Sequence, residues 1–279
     1  MAGNVVKAKM DIVFKKIFST NEDLLKALLS ALLSIPEENI KNLHVNNTEI
    51  FPDSSDYKYA YLDLNVQVDD RLVNIELQVE NDNDFIDRTL FYWSKLYTRD
   101  LKKGHSYDEL KQTLSINILD FNLFDCEEYH SAYKLMEEKR HEVLTDKCAI
   151  HFFELKKISG DLNAKDKMNL WLNYIKAETE EDLTMLDNTG VPEIKKAVDV
   201  LRDLNNDKEM RQRALEREML LHDKASALGK AEREGIERGI SIGMEKGVSI
   251  GMEKGVADMM EKMRRSGMSE EQIKKILSM

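Results

Sequence analysis

Proline is almost missing from this chain: Pro36, Pro52 and Pro192 are its only three in 279 residues. With so few helix breakers, long uninterrupted helices are permitted. Cysteine is scarcer still. Cys126 and Cys148 make neither a disulfide framework nor a zinc-ligand pattern. They read as two semi-buried thiols of a reducing compartment. No apolar run approaches the roughly 18 residues that a membrane span needs. Residues 1–10 lack the apolar core of a signal peptide. The expectation is a cytoplasmic protein without a membrane partner. No glycine-rich phosphate loop and no nucleophile elbow occur, so nothing calls for a small-molecule cofactor. The histidines (His44, His105, His130, His141, His151 and His222) show no ligand spacing.

What is present is a globular composition, 42% hydrophobic and 33% charged, with a helix-rich character. The formal net charge is −11. That balance counts against a nucleic-acid partner, because phosphate contacts want Lys and Arg. Net charge describes the average surface, however, and a cleft can be locally basic.

Residues 9–33 have helical apolar spacing, with Asn21 placed to cap a second helix and Pro36 as a stop. A weak strand follows at 43–51. Tyr59 to Val68 alternates strictly: Ala60, Leu62, Leu64, Val66 and Val68 share one face, and Tyr61, Asp63, Asn65 and Gln67 the other. Leu72 to Glu80 alternates as well, and the Asp69-Asp70 junction makes the two runs a β-hairpin. Phe85 to Lys103 reads as an amphipathic helix with Gly104 as its C′ residue. Leu114 to Phe124 suits a strand buried on both faces, and Ala149 to Leu155 suits another. Beyond residue 160 the pattern is helical: Leu162 to Ile175, Val191 to Leu204, and a charged run from Asp207 that reaches Gly255 or further. The expected class is α/β. Its organisation is a mixed domain over 1–160, a helical extension over 161–206 and a long helical tail over 207–279.

With a two-residue loop at Asp69-Asp70, Val68 pairs with Arg71 and Asp63 falls opposite Glu76. Directly paired residues on a sheet have Cβ atoms about 5 Å apart. Two carboxylates so placed repel, unless one is protonated or a cation lies between them. Mg²⁺ or Mn²⁺ would take such oxygen ligands. The same pattern also describes an ordinary solvated sheet face carrying Asp, Asn, Glu and Gln, and a register slip would separate the pair.

A resemblance bears on that choice. The stretches MDIVFKKIFS, YLDLNVQVDDRLVNIELQVE, FIDRTLFYWSKLYTRDLKKGHSYDEL, LSINILDFNLF and IHFFELKKI occur in this order within residues 1–160. Together they resemble the PD-(D/E)XK nuclease family transposases, which are related to the Rpn recombination-promoting nucleases. The resemblance implies a restriction-endonuclease-like core, a mixed central sheet flanked by helices, followed here by an all-helical C-terminal region. It implies a metal-dependent DNA endonuclease in which Asp63 and Glu76 bind metal. Gln78 stands where the broader superfamily has Lys. Asp11 matches an acidic position of the family's opening motif and is a further metal-ligand candidate. Gln78 can hydrogen-bond but carries no charge, so a catalytically degenerate nucleic-acid-binding module is the alternative reading.

After the hairpin, Arg88, Lys95, Arg99 and Lys102 recur at spacings that place them along one helical face. They are a phosphate-contacting ridge or a solvated face. Arg88 and Tyr92 lie in the family-like R-x-x-x-Y stretch, and Arg88 is the candidate to neutralise a scissile phosphate.

In the tail, Gly235, Gly239, Gly243, Gly247, Gly251 and Gly255 recur every fourth residue, each before an apolar residue. Glycine in a helix costs about 1 kcal/mol against alanine. The repeat is a self-association segment, giving a homo-oligomer through the C-terminal helix, or a flexible expansion. Ser269 and Gln272 form a capping box for a last short helix.

Overall fold

A computed structural model describes residues 6–46, 49–50, 60–81, 84–101 and 103–277. The chain divides into two compact units, residues 1–215 and 216–279. The first unit opens with α1 (Asp11–Thr20) and α2 (Glu22–Leu33). They part at Asn21, but its side chain does not cap α2: Nδ2 donates to the Ile17 carbonyl at the end of α1, 2.8 Å away. Ser34 then takes a left-handed φ of 53° and ends α2 before Pro36.

Strands β1 (Leu43–Asn46), β4 (Leu64–Val68), β5 (Arg71–Gln78), β6 (Thr113–Leu119), β7 (His130–Lys134) and β8 (Cys148–Glu154) form one sheet in the order β1-β4-β5-β6-β8-β7. Two short strands, β2 (Glu49–Ile50) and β3 (Ala60–Tyr61), pair separately. The hairpin register is the expected one: Val68 lies opposite Arg71 and Leu64 opposite Ile75. Asp69 makes the turn with φ of 54°, a region that Asp tolerates. Its carboxylate accepts the Asn42 backbone N–H at 2.9 Å, which ties the turn to the chain entering β1. β5, β6 and β8 run parallel, and α3 (Phe85–Thr98) is the crossover between β5 and β6.

That crossover decides what each sheet face meets. Val66, Val73, Ile75, Ile116 and Phe153 turn to one side, into a core shared with α1, α2, α4 (Lys167–Lys176) and α6 (Pro192–Asn206). Phe18 and Trp171 meet there at 5.9 Å, and Tyr174 donates to the Ala197 carbonyl at 2.9 Å. The opposite face lies beneath α3, where Phe85 joins Phe121, Ile150 and Phe152. The hairpin's polar face is therefore only partly wet: Asp63, Gln67, Glu76 and Gln78 keep some exposure. Asn65, Asn74, Ser115 and Asn117 are completely buried. Leu62 also departs from the expected alternation. The chain has not yet entered β4 at that point, and Leu62 packs with Leu72 and Leu96 instead of in the larger core.

Other boundaries shift for local reasons. α3 ends at Thr98, short of Lys103; Gly104 has a positive φ of 93° in a later turn and is not the helix's C′ residue. β6 stops at Leu119, so the apolar run to Phe124 is part strand and part loop. α4 begins only at Lys167, because Asp166 accepts the Asn169 N–H as its N-cap. A helix absent from the sequence reading, α5 (Glu180–Asp187), starts from a Thr179–Asp182 capping box. Pro192 opens α6 in the first turn, where its missing N–H has no intrahelical partner to lose.

α7 (Lys208–Arg265) is continuous, and its early residues Met210 and Ala214 belong to the core of the first unit. In the second unit Ile236, Ile240, Met244, Val248, Met252 and Val256 are all exposed. Among the described residues, a Cβ added at any glycine from Gly235 to Gly255 would meet nothing within 4 Å. α8 (Glu270–Leu277) has the expected cap: Gln272 N–H to Ser269 Oγ at 3.4 Å, and Ser269 N–H to Gln272 Oε1 at 3.0 Å. Cys126 is exposed and Cys148 buried, and both thiols are free. Among the described residues no helix is long and apolar enough to cross a membrane.

Candidate functional site

The polar residues of β5 rise beneath α3 in a row, Asn74, Glu76, Gln78, with Asn117 of β6 beside Glu76. Asp63 stands just before β4, where the hairpin register carries it opposite Glu76. Two hydrogen bonds fix the pair. Leu77 N–H donates to Asp63 Oδ2 at 2.9 Å, so the side chain accepts an N–H beside Glu76. Asp63 N–H reaches toward Glu76 Oε1 at 3.4 Å. Asn74 Nδ2 donates to the same Oε1 at 3.1 Å.

Burial beneath α3, then the charge of Asp63, pushes the Glu76 carboxyl up to about 8. The Asn74 amide, the Asp63 N–H and the positive charge of Arg88 act in the other direction. The donor set suits a hard divalent cation: two carboxylates meet in a place where negative charge is costly, and a cation would offset that cost.

Gln78 shares the face, with its Nε2 donating to the Glu80 carbonyl at 2.8 Å and its backbone oxygen receiving Asp120 N–H at 2.9 Å. Asp11 opens α1, whose buried side chains belong to the core on the other side of the sheet. Among the described residues no three His, Cys, Asp or Glu side chains gather in one place, so Asp11 does not form a cluster with Asp63 and Glu76.

The basic residues of α3 are held by their neighbours. Arg88 lies over the Phe85 ring at 5.3 Å and Lys95 over the Phe91 ring at 5.7 Å. Arg99, just past the helix end, pairs with Asp100 at 3.0 Å. Tyr92 packs against the Leu62, Leu72 and Leu96 cluster. Lys102 lies outside the described residues. The positive charge of Arg88 favours the ionised form of Glu76.

The sequence reading missed the buried amide layer. Thr89 Oγ1 donates to Asn117 Oδ1 at 3.3 Å, and Asn117 Nδ2 donates to the His151 carbonyl at 3.0 Å. Trp93 Nε1 donates to the Thr113 carbonyl at 2.8 Å, fastening α3 to the sheet. A signal existed: Ser115 and Asn117 interrupt the apolar run of β6 at alternate positions, on the side that faces Glu76.

A family model described as PD-(D/E)XK nuclease family transposase matches residues 8–231. Neither the curated proteins nor the solved structures give a match.

Proposed function

The chain belongs to the PD-(D/E)XK nuclease family transposases, and we propose that it is a divalent-metal-dependent DNA endonuclease working at Asp63 and Glu76. The observation that supports this most is the meeting of the two carboxylates across the β4–β5 hairpin, held by the Leu77 and Asp63 backbone N–H groups. Asp63 and Glu76 would hold Mg²⁺ or Mn²⁺. When bound, such an ion supplies an activated water and neutralises charge on a phosphate. With two carboxylates, the remaining positions fall to water, backbone oxygen and the phosphate itself, the usual habit of Mg²⁺.

The chain's other residues take supporting roles. Arg88 neutralises phosphate charge beside the pair. Gln78 offers a neutral donor, its amide oriented by the Glu80 carbonyl. Tyr92, Lys95, Arg99 and Lys102 contact the DNA backbone. Family membership supports DNA as the substrate, and cleavage of a phosphodiester is the activity proposed; strand transfer is not part of the proposal.

The tail adds self-association. Its apolar side chains are exposed, and between Gly235 and Val256 each acidic residue (Glu237, Glu245, Glu253) is followed by a basic one (Arg238, Lys246, Lys254). Copies of so balanced a segment do not repel, whereas the whole chain carries −11.

The test is cleavage of supercoiled plasmid with Mg²⁺ or Mn²⁺, with EDTA as control, for wild type and Asp63→Ala. A metal ion contributes several kcal/mol of transition-state stabilisation, so the variant should lose roughly three orders of magnitude in rate. Cutting that persists in Asp63→Ala overturns the site. A folded wild type that binds DNA without cutting it favours the degenerate binding module.

A further inference from the structure

Asn74 is completely buried on the same face as Glu76, two residues away along β5, and directly opposite Asn65 in the ladder. Its amide is used by halves. Nδ2 donates to Glu76 Oε1 at 3.1 Å, while Oδ1 has no hydrogen-bond partner among the described residues. A buried acceptor left unpaired destabilises the folded state. Asn is thus a poor choice for stability alone: an apolar residue of similar size would remove the unpaired oxygen, giving up one donor to Glu76. For an ionised, metal-binding Glu76, turning the amide over would not help, because Oδ1 would then face an acceptor oxygen. The donor orientation matches a Glu76 that must present a fixed, ionised carboxylate. The other donor at that oxygen, the Asp63 N–H, is longer at 3.4 Å.

We propose that Asn74 is a positioning residue for the metal site, holding the Glu76 carboxylate in the direction that binds a divalent cation. This rests on the metal reading of Asp63 and Glu76. Groups of this kind, which orient a metal ligand without touching the metal, typically change metal affinity 10–100-fold when removed. A purely structural Asn74 would act the other way: its loss would alter stability and leave metal affinity alone.

The experiment is calorimetric titration of the full chain with Mn²⁺ alone, for wild type, Asn74→Leu, Asn74→Ser and Glu76→Ala, with a melting curve for each. The expected result is a Mn²⁺ dissociation constant about 10–100-fold larger in Asn74→Leu. Its melting temperature should be unchanged or higher, since the unpaired oxygen is gone. Asn74→Ser keeps a donor and recovers part of the affinity. If Leu prevents folding, Asn74→Ala carries the same expectation. Wild-type affinity in Asn74→Leu or Asn74→Ala, with binding lost in Glu76→Ala, overturns the positioning role and leaves the metal site standing. Wild-type affinity in Glu76→Ala overturns the metal site, and this inference with it.

Discussion

The backbone N–H of Asp63 points at Glu76 Oε1, 3.4 Å away, so the residue whose charge disfavours an ionised Glu76 also contributes a donor to it. Burial and charge win, and Glu76 is raised from 4.5 to about 8. A carboxyl raised on folding is protonated more readily in the folded state. Stability without metal therefore falls as pH rises from about 4.5 through about 8. His151 works in the opposite sense. Burial, then the neighbouring His130 and Lys134, lowers it from 6.5 to about 4, so its contribution is lost as pH falls through that window. The two slopes oppose each other below 6.5, and of the two only that of Glu76 remains above it. Melting curves in EDTA between pH 6.5 and 8 should decline with pH in the wild type and flatten in Glu76→Gln. Equal slopes in both proteins would refute this assignment.

Glu154, at the end of β8, has no solvent exposure and serves three donors. Its Oε1 accepts the N–H groups of Leu123 and Phe124 at 2.6 and 3.2 Å, and its Oε2 accepts Lys157 Nζ at 2.7 Å. Lys157 Nζ in turn donates to the Phe124 carbonyl at 2.8 Å. Glu154→Ala leaves two N–H groups without their acceptor and Lys157 without its charge partner. The expected loss is about 3–5 kcal/mol, read from the urea midpoint. A loss below about 1 kcal/mol would show that water replaces the carboxylate without penalty.

The hairpin was legible because two signals agreed. Period-two alternation chose the faces, and Asp69-Asp70 chose the loop, so Asp63 and Glu76 could be placed opposite each other from residue numbers alone. Legibility failed where a distant element intervened. Nothing local to β5 says that α3 will roof its polar face, so Asn65 and Asn74 looked solvated when they are buried. The role of Asn74 toward Glu76 was invisible for the same reason. Asn21 was recognised as a helix boundary but assigned to the wrong helix, because its amide can donate backward as readily as its oxygen can accept forward. β7, with exposed residues at its outer edge, lacked the apolar run that announced its neighbours β6 and β8.

The tail gives a prediction of opposite sign for folding and assembly. Among the described residues nothing lies within 4 Å of a Cβ built at Gly243 or Gly247, so Gly243→Ala and Gly247→Ala should each strengthen the helix by about 1 kcal/mol. If the glycines serve close approach between copies, the variant carrying both Gly243→Ala and Gly247→Ala should dissociate further in sedimentation equilibrium. Increased helicity with unchanged association would remove the glycines from the self-association account.

The central claim is tested most directly by plasmid cleavage with Glu76→Gln, compared with wild type at equal folded concentration and saturating Mn²⁺. The substitution keeps the side chain's size and removes the charge that burial disfavours, so the variant should be at least as stable as wild type without metal. The account predicts a folded protein whose metal-dependent cleavage is lost, by roughly three orders of magnitude. Cleavage by Glu76→Gln at the wild-type rate would contradict it and place the chemistry elsewhere in the chain.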